Sequence, residues 1–100
     1  MNHLEQKVSY EKMAKEVIDY IDSIAPGEQW SNIYYKNRWD HYRELIEHNE
    51  TCVAFENLSD IISEDMELLL PNDVYVKFVN ICQFFDVSPD YWKKIKYESI

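Results

Sequence analysis

The sequence predicts an all-α fold: a compact bundle of four to five short helices, forming a single domain over residues 1–100. Three observations carry this. Apolar residues recur at spacings of three and four along most of the chain. One glycine in 100 residues leaves little for hairpin turns. The segments between periodic stretches are short, so successive helices are expected to run mostly antiparallel. A hydrophobic content of 46% is enough to form a core and excludes a disordered acidic tail.

The first helix is expected from about Ser9 to Ile24. Met13, Val17, Ile21 and Ile24 set its inward stripe, with Ala14 and Ile18 beside them. Leu4 and Val8 fit a backward extension. Lys12, Lys15, Glu16 and Asp19 fall outside the stripe, as a solvated face requires. Ala25-Pro26-Gly27 ends the helix, because proline cannot continue it. The second helix, about Trp30 to His48, is aromatic: Tyr35, Trp39, Tyr42, Leu45 and Ile46 follow a helical period. Helix is favoured over strand at Trp30–Tyr35 because no second strand is expected to pair with it.

Asn49 is read as the N-cap of a third helix, about Glu50 to Ser63. Cys52, Phe55, Leu58 and Ile62 face inward, with Ile61 adjacent. Glu56, Asp60 and Glu64 stack four apart on the other side, with no basic neighbour in the sequence. Like charges at this spacing cost a few tenths of a kcal/mol per pair, about the size of a favourable pair. Leu68-Leu69-Leu70 leads through Pro71 into a fourth helix, about Asp73 to Phe85, whose core side is Val74, Phe78, Ile81, Cys82 and Phe85. A short fifth helix begins with Ser88 as cap and Pro89 in the first position. Tyr91, Trp92 and Ile95 close it onto the bundle. Lys93, Lys94 and Lys96 are assigned to its last turn, where cations complement the helix dipole.

Charge narrows the function classes. The formal charge is −9, and from Glu44 to Asp90 eleven carboxylates face one basic side chain, Lys77. Such a surface repels nucleic acid and membrane and attracts basic proteins. Plain solubility accounts for the same excess of acid. Cys52 and Cys82 sit in apolar stretches and read as small buried hydrophobes of a reducing compartment. The N-terminal residues have no apolar core of a secretory signal, and no apolar run approaches membrane-spanning length. The expected location is cytoplasmic.

No catalytic residues are assigned. The chain has no glycine-rich phosphate loop, no Gly-x-Ser-x-Gly turn and no His-Glu-x-x-His. His41, Glu44, His48 and Cys52 have helical spacing that invites a metal reading. No second cluster completes a tetrahedral set, so surface histidines are preferred and neither metal nor cofactor is expected. The candidate binding residues are acidic and aromatic. Glu56, Asp60, Glu64, Asp65 and Glu67 form one run from the third helix into the following loop, and such a run imitates the phosphates that a nuclease cleft holds. A solvated acidic face explains the same residues. Tyr34 and Tyr35 are adjacent and cannot both point inward; together with Trp39 they are candidate interface anchors.

The second half resembles the small helical bacterial immunity proteins of the MafI type, which neutralise polymorphic and contact-dependent toxins. The resemblance runs from about Leu45 to Ile95. It rests on Glu47-His48-Asn49-Glu50, Ala54-Phe55-Glu56-Asn57-Leu58, Glu64-Asp65, Leu70-Pro71 with Tyr75, and Tyr91-Trp92. A glycine is expected near Asp86 in such proteins, and this chain has none. The resemblance implies a non-enzymatic inhibitor whose partner is the C-terminal domain of a cognate toxin, often a basic nuclease. Glu50, Glu56, Glu64 and Asp65 are the contacts it implies. The alternative reading is an acidic adaptor or phage-encoded inhibitor of a host nucleic-acid-binding protein.

Overall fold

A computed structural model describes residues 3–24 and 33–99, together with all their side chains except those of His3, 33–36, Arg38, Trp39 and Asp65. The fold is all-α, with five helices among the described residues. α1 spans His3–Ile24, α2 Ile33–Glu47, α3 Thr51–Asp60, α4 Asn72–Phe84 and α5 Pro89–Trp92. α1 takes the backward extension, yet Leu4 and Val8 stay 69% and 58% exposed.

α1 packs on α2 and α4, α2 on α3, and α3 on α5. The core they enclose joins Ala14, Val17, Ile18 and Ile21 to Tyr42 and Ile46, and then to Phe55, Leu58, Phe78 and Ile81. These are mostly the inward positions the periodicity selects. Several inward positions are less buried than their period suggests: Ile24 is exposed, while Met13, Leu45, Cys52 and Phe85 are half-buried. Aromatic pairs tie the helices together. The rings of Phe55 and Phe78 lie 4.7 Å apart, and Tyr10 stacks on Phe84 at 4.3 Å. The radius of gyration, 13.0 Å, is that of a close-packed domain of this length.

The third helix departs from expectation at both ends. Asn49, expected to cap it, instead closes α2. Its φ is 63°, its N–H donates to the Ile46 carbonyl at 3.1 Å, and the Glu50 N–H donates to the Leu45 carbonyl at 2.7 Å. This paired closure calls for a left-handed residue, a conformation asparagine tolerates. Glu50 is then the N-cap of α3, without a side-chain capping bond. At the other end α3 widens into a π turn over Ile61–Asp65. Two serines explain the slip. Ser59 Oγ donates to the Phe55 carbonyl at 2.7 Å and Ser63 Oγ to the Ser59 carbonyl at 2.6 Å, competing with the helical ladder. The ladder resumes one residue out of step, with the Met66 N–H on the Ile61 carbonyl at 2.9 Å. The wider turn keeps Ile61, Ile62 and Met66 all buried.

The structure also adds a feature absent from the sequence reading. Leu69–Leu70 (β1) pairs in parallel with Lys96–Tyr97 (β2), and the Glu98 N–H donates to the Leu70 carbonyl at 2.9 Å. α5 therefore ends at Trp92, and its lysines are not in a last helical turn: Lys93 follows the helix, Lys94 lies beyond it and Lys96 is in β2. Tyr97 stacks on Tyr75 of α4 with ring centroids 3.9 Å apart, fastening the chain end to the bundle.

Candidate acidic interface

α3 and the π turn place Glu56, Asp60 and Glu64 at successive steps of four, which puts them on one face. Glu56 is half-buried and accepts the Cys52 thiol at 3.6 Å. Asp60 and Glu64 are more open, with side chains 40% and 60% exposed. Glu67 follows at φ 49°, a left-handed backbone in which glutamate is strained. It ends the π turn, and the Leu68 N–H reaches back to the Ile62 carbonyl at 3.0 Å.

The expectation that these carboxylates lack a basic neighbour is overturned. Lys94 Nζ donates to Asp60 Oδ1 at 2.6 Å and to Glu64 Oε1 at 2.9 Å. The hydrogen bonds to Asp60 and then Glu64 hold the Lys94 ammonium above the usual lysine range. Two of the stacked charges therefore share an internal cation, which removes the like-charge cost that the sequence implies. The chain signal for this contact was the basic run Lys93-Lys94-x-Lys96, opposite in sign to the acidic block. Its assignment to a helix dipole hid it.

Glu50 stands apart from this group. As the cap of α3 it lies about 15 Å along the helix axis from Asp60, ten residues at ~1.5 Å each. Glu64 is brought to Lys94 by this fold. The side chains of Tyr34, Tyr35, Trp39 and Asp65 lie outside the described residues, so the aromatic anchors and the fifth carboxylate of the run have no assigned place.

The histidine cluster separates as well. His41 and His48 are exposed, and among the described residues no three His, Cys, Asp or Glu side chains converge as a metal site would require. Burial raises both thiols. For Cys52, Glu56 adds to the shift, and for the fully buried Cys82, Cys52 adds to it. Both cysteines are free thiols, and the upward shifts make them poor nucleophiles. Three open clefts among the described residues hold about 130, 170 and 220 Å³; the first lies between α1 and α2 and is lined by Lys15, Ile18, Asp19, Arg43, Ile46 and Glu47. Ligand pockets usually hold roughly 300–1,000 Å³. Among the described residues, no helix is long and apolar enough to cross a membrane.

Comparison with known proteins finds no matching family model, curated protein or solved structure.

Proposed function

We propose that this protein is an immunity-type inhibitor that binds a basic toxin domain, of nuclease type, through the acidic face of α3 and the turn after it. The observation that supports this best is the alignment of Glu56, Asp60 and Glu64 on one face, continued by Glu67, in a chain of net charge −9. Opposed potentials of this kind speed encounter with a cationic cleft, and charge-assisted hydrogen bonds then seal it. The proposed role is occlusion and not chemistry. The MafI-type resemblance of residues 45–95 supplies the toxin as partner, and the charge supplies the partner's sign.

The test purifies the product of the adjacent upstream gene and assays it for nuclease activity with and without this protein. Inhibition at equimolar ratio is the expected result. Asp60→Lys and Glu64→Lys are expected to slow association about tenfold or more at low salt, and less at high salt. Equal affinity and equal rates in both variants would remove the acidic face from the interface.

A further inference from the structure

We propose that the outward face of α4 is a self-association surface, on which a second copy of this chain docks antiparallel about a two-fold axis. The proposal is independent of the acidic-face reading. Asn72, Val76, Val79, Asn80 and Gln83 share the side of α4 that points away from the buried Val74, Phe78, Ile81 and Cys82. None of the five is charged, in a chain that is 29% charged. Val76 is 46% exposed, Asn80 and Gln83 are exposed, and Asn72 and Val79 are half-buried. A helix face turned to water ordinarily carries charge, and a valine there lowers helix propensity with little packing in return. Among the described residues, the three amides of this face have no side-chain hydrogen bond, so their donors and acceptors are open to a partner.

Charge identifies that partner. Two copies at −9 each repel, so they meet only where charge is absent or balanced. Both flanks of this face are balanced. On one side Asp73 and Lys77 line the cleft against α1. On the other, Lys96 and Glu98 stand on either side of Tyr97, which stacks on Tyr75. Reversed against its own copy, each flank brings acid toward base. The face is self-complementary in the same orientation. With the helices antiparallel and centred between Lys77 and Phe78, Val76 meets Val79 of the second copy and Asn72 meets its Gln83. An amide both donates and accepts, so it pairs with another amide in either orientation. A basic partner gains no charge attraction from this face. The helix face measures about 20 Å by 10 Å, at ~1.5 Å per residue. That is less than the roughly 800 Å² per partner of a stable complex, so the dimer is weak.

The expected dissociation constant is of the order of 100 µM, read by sedimentation velocity of the full chain at concentrations on either side of it. Added salt is expected to tighten the dimer about threefold or more, because it screens the repulsion between two acidic copies. Binding through an acidic face would weaken instead. Val76→Glu places two carboxylates at the centre of the interface and is expected to weaken self-association about tenfold or more. Val76 is exposed, so its circular dichroism and melt should stay those of the wild type. Val8→Glu is the control: it adds the same charge at a position on α1 that is 58% exposed, and should weaken the dimer less than about twofold. A chain that stays monomeric at millimolar concentration in high salt overturns the proposal. So does a dimer that salt loosens, or one that Val8→Glu disrupts as strongly as Val76→Glu.

Discussion

Among the described residues, Arg43 and Lys94 each bridge two carboxylates from elsewhere in the chain, and they are not equivalent. Arg43 on α2 reaches Asp19 and Asp22 on α1 through Nη2, at 2.9 and 3.0 Å. Lys94 reaches Asp60 and Glu64 from the turn after α5. Their side chains are almost equally exposed, 38% and 36%, so exposure does not separate them. Their settings do. Arg43 joins two long helices, and its stem lines a cleft with Ile18 and Ile46. Lys94 joins a chain end that is already fastened by β1, Ile95 and Tyr97. The Arg43 bridge joins two core helices, whereas the Lys94 bridge joins α3 and its π turn to a segment already held by strand pairing and ring stacking.

The largest difference is expected in stability. Arg43→Met should cost about 1 kcal/mol, because both ion pairs are lost together. Urea denaturation at constant slope measures it. Arg43→Lys should recover much of it, because a single nitrogen, Nη2, makes both contacts and an ammonium can do the same. A loss below about 0.5 kcal/mol would place Arg43 in the same class as Lys94 and erase the distinction.

The two bridges also differ in how far the sequence reveals them. The α1 face that carries Asp19 was legible as solvated, because local periodicity fixes which side of a helix faces water. The inward stripes of α1 and α4 were legible for the same reason. The partner of each carboxylate was not. Arg43 lies 21 residues from Asp22, and Lys94 lies 34 from Asp60, and no periodicity spans such gaps. The π turn was hidden too. Cys52, Phe55, Leu58 and Ile62 read as a continuous helical stripe, while the slip comes from hydrogen bonds made by Ser59 and Ser63. Asn49 was misplaced because asparagine suits both a helix start and a left-handed helix end.

Backbone strain sharpens the contrast. The helix bearing Arg43 closes at Asn49, and the turn bearing Glu64 closes at Glu67; both residues have positive φ. Asparagine visits this region readily and glutamate does not. Glu67→Gly should therefore stabilise the protein by about 1 kcal/mol, while Asn49→Gly should change it by only a few tenths. Thermal or urea melts of the two variants decide it. The strain at Glu67 lies three residues from Glu64, beside the lysine bridge. Equal gains would remove that asymmetry. Asp86 closes α4 in the same left-handed way at φ 59°, at the place where the resemblance expects a glycine.

A small effect is also expected from Lys94→Met, and its pH dependence identifies the cause. At neutral pH the loss should be about 0.5 kcal/mol or less, as for other exposed pairs. The sign follows from the direction of the shift. The carboxylates raise the Lys94 ammonium above its ordinary value of 10.5 in the folded state. The bridge's contribution is therefore complete below that value and is lost as pH rises through the higher folded value. Wild type and Lys94→Met should differ slightly at pH 7 and converge in strong alkali. The Arg43 bridge should persist there, because a guanidinium stays charged. High salt should likewise shrink the Lys94→Met loss. A loss that survives both alkali and salt would come instead from packing of the lysine stem.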